Sequence, residues 1–178
     1  MEVSLKLQDV TLFRGSEHAL LSEVVDNRAV LLIILRHSGC PLCREHLVVT
    51  EGMLAEIPAD RCQVVGICQG DGAEALALEQ ELGLSFPVYA DPEATLYREL
   101  DMPHGSWWQV TLGPMLRQPL KAIKRMRDVR RPGRDVRQLG GVVLLSAAMQ
   151  PLYRYVQRDS GDLPGDDEVL AAVAAHCS

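Results

Sequence analysis

No uninterrupted apolar run in the sequence exceeds seven residues, the length of Ala29 to Leu35, against the ~20 that a membrane-spanning helix needs. The opening Met-Glu-Val-Ser-Leu-Lys-Leu-Gln-Asp lacks the basic stretch and apolar core of a secretory signal, so the cytoplasm is the expected compartment. Proline and glycine are scarce, 10 and 14 in 178 residues, with no internal repeat or low-complexity run, which excludes fibrous and disordered classes. Basic residues are outnumbered, 18 Lys and Arg against 24 Asp and Glu for a net charge of −6. Nucleic acid is therefore a poor partner unless a local basic patch overcomes the repulsion of the rest. Cysteines are few and odd in number, five, in a chain large enough to bury its own core. Such thiols are more often catalytic, redox-active or metal-binding than crosslinking.

What remains is a chain of one ordinary domain, residues 1–178, with alternating strand and helix signals. Val3, Leu5, Leu7, Val10 and Leu12 alternate as short strands do, Gly15 turns the chain, and Ala19 to Val25 suits a helical turn. Ala29 to Leu35 is apolar without alternation, as in a parallel strand covered on both faces. Pro41 suits a first helical position, and Leu47, Leu54 and Ile57 extend a helix to residue 57. Gln63 to Cys68 reads as a second buried strand, followed by a helix over 73–82, a short strand over 86–90 and a helix beginning at Asp91-Pro92-Glu93. Gly141 to Leu145 and Leu152 to Val156 pair as a hairpin, and Asp166-Asp-Glu168 opens a last helix. The order βαβα…ββα predicts an α/β fold, a mixed β-sheet flanked by helices. Residues 101–138 lack strand character and read as a helical insertion.

Cys40-Pro-Leu-Cys43 carries the chemistry. At a strand-to-helix junction, this spacing sets two sulfurs one helical turn apart. Cys40 falls at the helix cap, where free N–H groups and the dipole favour a thiolate, and is the expected nucleophile. Cys43 shares a face with Leu47 and Leu54 and is the expected resolving thiol. Arg36, His37 and Arg44 flank the pair and add positive potential if they turn toward it. His37 is also within reach as a base, whereas His46 is expected to be exposed on the helix. Cys68 ends the neighbouring strand and is expected near the dithiol or packed in the core. Gly140 and Gly141 precede a strand beside that of Cys40, where missing side chains would admit a substrate backbone or simply make a turn. Cys177 is a tail thiol without an assigned role. A zinc site drawn from Cys40, Cys43, Cys62 and Cys68 fits poorly, because the second pair brackets a strand rather than a knuckle.

These stretches resemble the thioredoxin-like AhpC/TSA antioxidant family, in particular its peroxiredoxin-like branch with a CxxC. The resemblance runs through residues 30–45, 87–100, 138–145 and 158–164 in order. It implies a thioredoxin-type sheet with Cys40 as the redox-active thiol and Cys43 as its partner. Typical peroxiredoxins carry Thr or Ser three residues before their cysteine, where this chain has Cys40 before Cys43. Thioredoxins face their dithiol with a cis-proline, where Gly140 and Gly141 stand here.

The expected function is thiol-dependent reduction of a peroxide or a disulfide, with an external thiol reductant closing the cycle. No metal or organic cofactor is called for, and a homodimer is left open. The alternative is a redox-sensing module that docks through the basic segment 117–137. That segment holds nine Lys or Arg against two Asp, with Leu116, Leu120 and Ile123 on one face. Trp107 and Trp108 would line a cleft or anchor the insertion to the core.

Overall fold

A computed structural model describes residues 7–112 and 135–177. Seven strands form one mixed sheet: β1 (Thr11–Arg14), β2 (Glu17–Leu20), β3 (Ala29–Ile34), β4 (Cys62–Cys68), β5 (Val88–Ala90), β6 (Gly141–Leu145) and β7 (Pro151–Val156). Their order across the sheet is β2-β1-β5-β4-β3-β6-β7. The three central strands β3, β4 and β5 run parallel, and β1 and β6 join them antiparallel on either side.

The lack of alternation in β3 has a direct cause. Leu31, Ile33 and Leu35 enter one core layer, with Leu47, Ala75, Leu78, Val169 and Val173. Val30, Leu32 and Ile34 enter the other, with Leu21, Val25, Leu96 and Tyr97. The first layer is covered by α2 (Pro41–Met53), α3 (Gly72–Leu82) and α5 (Asp166–His176). The second is covered by α1 (Leu21–Val25) and α4 (Thr95–Glu99). No helix among the described residues is long and apolar enough to cross a membrane.

Several boundaries differ from expectation. Val3 and Leu5 lie outside the described residues, Leu7 lies in a helical turn, and the first described strand starts at Thr11, because β1 takes its register from the hairpin with β2 across Gly15, whose φ is +61°. The helix expected to reach residue 57 ends at Met53 and tightens into a 3₁₀ turn, Leu54–Glu56. α3 starts one residue earlier than expected, because Asp71 accepts the Glu74 amide while Glu74 reaches back to the Asp71 amide.

The excursion after α4 leaves and returns at adjacent points. His104 bridges Gln138, the Gly105 amide donates to the Arg137 carbonyl, and the Leu139 amide donates to Pro103. Within it, Trp108–Leu112 form a π turn. The basic segment lies outside the described residues, apart from residues 135–137.

Candidate active site

The site is built at the carboxyl end of β3. Cys40 is the N-cap residue of α2 and Pro41 its first helical residue, so the proline forfeits only an N–H that would have lacked an intrahelical partner. The amides of Leu42 and Cys43 face the Cys40 sulfur, and the Cys43 thiol donates to it. Cys43 lies behind it on the inner face of α2, in the same core layer. The two sulfurs are therefore in contact, as the spacing predicts.

Arg36 completes the arrangement. Its Nη1 lies 3.7 Å from Cys40 Sγ. Its other nitrogens are spent on backbone: Nε donates to Gln138 O at 3.3 Å and Nη2 to Val136 O at 2.7 Å. The guanidinium is buried and fixed over the sulfur. Gln138 is fixed in turn, its amide donating to the Met102, Pro103 and Leu139 carbonyls.

These contacts split the two thiols. Donation from Cys43, the Arg36 charge and the two amides outweigh burial and bring Cys40 down from 9.0 to about 6. Cys43 is held well above the ordinary thiol range, because its proton is committed to Cys40 and it is buried. Cys40 is thus a thiolate at neutral pH and Cys43 a thiol, the pairing needed for attack followed by resolution.

Tyr97 supports the junction from the opposite layer. Its hydroxyl donates to Leu35 O at 2.5 Å and faces the Gln69 amide, joining the ends of β3 and β4. α4 is positioned for this by Asp91, whose carboxylate accepts the Thr95 and Leu96 amides. Gln69 Oε1 accepts from the Asp135 amide, beside the Val136 carbonyl that Arg36 holds. Gln69 Nε2 and His37 Nδ1 are buried with no hydrogen-bond partner among the described residues. Nothing in the sequence pattern marks Gln69, Tyr97 or Gln138, since each acts through a contact distant along the chain.

Other expectations are corrected. His37 adds no positive charge: burial, then the Arg36 charge, lowers it to about 4, so it is neutral at pH 7. Arg44 turns away from the dithiol to pair with Glu81 at 2.8 Å, on the wall of a cleft of about 200 Å³ that borders Ser38 and Gly39. His46 is buried rather than exposed, and burial lowers it to about 4 against a partly opposing Asp166. For Cys68 the packed alternative holds: it is a core thiol, raised to about 12 by burial and then by Glu74, Asp71 and Asp91. Trp107 and Trp108 are 62% and 59% exposed rather than buried in the core, and Arg137 lies 6.0 Å over the Trp107 ring.

Gly140 and Gly141 make no opening for a substrate backbone. A Cβ on Gly140 would stand 2.0 Å from Ile34 O, and one on Gly141 would stand 2.1 Å from Tyr155 O. The missing side chains serve close approach of strands. Cys62 and Cys68 lie at opposite ends of β4, so four cysteines cannot converge on one metal ion. Among the described residues, no group of three or more His, Cys, Asp or Glu could hold one.

Residues 51–159 match the family model described as AhpC/TSA antioxidant enzyme, a stretch that begins after Cys43. No curated protein sequence matches the chain. Among solved structures, a cysteine-to-serine mutant of Xylella fastidiosa PrxQ superposes with a TM-score of 0.69 at 17% identity, over 97% of this chain and 92% of that one. The Xanthomonas campestris bacterioferritin comigratory protein, studied for alkyl peroxide reduction, gives 0.69 at 16% identity, over 98% and 96%. Mycobacterium tuberculosis peroxidoxin BcpB gives 0.67 at 14% identity, over 94% and 93%. At these identities the likeness is one of fold.

Proposed function

Because the chain belongs to the AhpC/TSA antioxidant enzyme family, we propose that it reduces hydroperoxides through a Cys40–Cys43 dithiol cycle. The observation that carries this reading is the Arg36 guanidinium, buried and fixed 3.7 Å from Cys40 Sγ.

The Cys40 thiolate attacks the terminal oxygen of a hydroperoxide. The O–O bond breaks, the alkoxide leaves and takes a proton from water, and Cys40 becomes a sulfenic acid. Cys43 then attacks the Cys40 sulfur, its proton leaves with the hydroxyl as water, and a disulfide closes. One electron pair has passed from two thiols to the peroxide. An external thiol, small or thioredoxin-like, returns the pair by two exchange steps. Arg36 stabilises the anion on sulfur and the charge that develops on the departing oxygen. Gln69 Nε2 and His37 Nδ1, buried without partners among the described residues, are polar atoms that a substrate oxygen would satisfy.

Access favours a peroxide over a disulfide. Cys40 is only 4% exposed, and the terminal oxygen of a hydroperoxide needs less access than a disulfide that must align in line with its flanking chain.

Intact-mass analysis after one equivalent of an alkyl hydroperoxide tests the reading. The parent is expected to lose two hydrogens, Cys43→Ser to retain a sulfenic acid at Cys40, and Cys40→Ser to oxidise slowly. Equal oxidation rates for the parent and Cys40→Ser would overturn it.

A further inference from the structure

The fold brings together a second pair of cysteines at the far end of β4 from Cys68. Cys62 opens β4 and Cys177 is the C-cap residue of α5. Both belong to the core layer that holds Cys43, and they are 1% and 4% exposed. The segment entering β4 lies against α5, so that Ile57, Pro58, Arg61, Ala174 and Cys177 line one cleft of about 560 Å³. Cys177 is the neighbour that, after burial, most raises the Cys62 thiol, while Cys62 Sγ itself lies 3.7 Å from the Gln63 carbonyl oxygen to which it donates. Two cysteines brought together in this way, one opening β4 and one capping α5, meet the first requirement for a disulfide, a bond of ~2.05 Å. Neither thiol takes part in the chemistry proposed above.

We infer that Cys62 and Cys177 are a second oxidisable pair, closing to a disulfide that ties α5 to the start of β4. The oxidant class is a low-molecular-weight disulfide, and the cleft gives it a route to Cys177. As a thiolate, Cys177 attacks one sulfur of the reagent and releases the first thiolate. The Cys62 thiolate then attacks the Cys177 sulfur of the mixed disulfide and releases the second. Two protein thiols lose one electron pair, the reagent gains it, and the two protons pass through water to the released thiolates. Burial, followed by the neighbouring Cys177, raises the Cys62 thiol to about 12, so the second step is slow. The same high value makes Cys62 a poor leaving group in the reverse reaction. The bond forms later than the Cys40–Cys43 disulfide and outlasts it under reduction.

The test uses the full chain carrying Cys40→Ser and Cys43→Ser, incubated with oxidised glutathione without denaturant and mapped by non-reducing proteolysis. The expected result is loss of two hydrogens with a Cys62–Cys177 peptide pair. Adding Cys177→Ala abolishes the crosslink, and adding Cys62→Ala instead arrests the reaction at a glutathione adduct on Cys177. A persistent adduct in the chain that retains both thiols, a crosslink seen only after unfolding, or one that involves Cys68 would overturn the inference. The unsubstituted chain, mapped after exhaustive oxidation and then titrated with dithiothreitol, gives an independent reading should the variants not fold. There the Cys62–Cys177 peptide pair must appear and be the last to open, and its absence counts against the inference. The outcome is separable from that of the peroxide assay, since this crosslink needs neither Cys40 nor Cys43.

Discussion

Replacing Cys43 by alanine or by serine separates its two proposed duties, donor to Cys40 and resolving thiol. Both substitutions remove the second sulfur, but only alanine removes the hydrogen-bond donor. The descent of Cys40 from 9.0 to about 6 corresponds to roughly 4 kcal/mol in favour of the thiolate, at about 1.4 kcal/mol per pH unit. Donation from Cys43 is its largest cause, ahead of the Arg36 charge and the two amides, with burial opposing. Losing one such donor returns the midpoint by about one to two units. Cys43→Ala is therefore expected to titrate at Cys40 about one to two units above the parent, and Cys43→Ser close to it. The assay is the rate of alkylation at the Cys40 peptide between pH 4 and 9, read by mass spectrometry. The midpoint rather than the rate carries the answer. A thiolate gains about three- to eight-fold in nucleophilicity over one to two units, given a Brønsted slope of about 0.4–0.5, so the plateau climbs as the midpoint moves. Identical midpoints for the alanine and serine variants would refute the assignment of Cys43 as the principal donor.

Two further outcomes follow from other parts of the fold. His37 and His46, each lowered to about 4 in the folded chain, are neutral when buried, whereas the unfolded chain takes up protons near pH 6.5. Stability is therefore complete above pH 6.5 and declines as pH falls toward 4, by about 2 kcal/mol per histidine between pH 6.5 and 5. Urea titrations across that range measure it, and a flat profile would show that neither imidazole is sealed from water. Gly140→Ala sets a Cβ 2.0 Å from backbone oxygen and should cost about 3 kcal/mol or more by parting β3 from β6. Gly52→Ala, whose new Cβ meets nothing within 4 Å, should add up to about 1 kcal/mol of stability and raise the thermal midpoint. Equal effects of the two would contradict the strand-approach reading.

The position of the Cys40–Cys43 pair is legible because three local signals coincide there: a strand apolar on both sides, a proline suited to a first helical turn, and cysteines one turn apart. The parallel crossover from β3 to β4 and the β6–β7 hairpin are legible from the same strands, whereas the pairing of β1 with β2 and β5 is not. The contacts that tune the sulfur are not legible. Arg36 finds its partners at Val136 and Gln138, a hundred residues on, and backbone acceptors leave no trace in residue type. His46 escapes the pattern because apolar letters alone draw the expected buried stripe of α2. The observed stripe is Cys43, His46, Leu47, Thr50 and Met53, with Val48 and Val49 left outside. β2, with its exposed Glu17 and His18, has no apolar face to announce it. The two cysteine pairs diverge in the same way: the spacing reveals Cys40 with Cys43, while Cys62 and Cys177 meet only through the packing of α5.

The hold on Arg36 has a consequence for how this architecture varies. Its two anchoring acceptors are carbonyls, and every residue supplies a carbonyl. Position 136 can therefore accept many substitutions with the guanidinium undisturbed, provided the chain follows the same path. Constraint there acts on geometry rather than on spelling, and drift among related chains would erase the letters at 136 long before it altered the electrostatics above the sulfur.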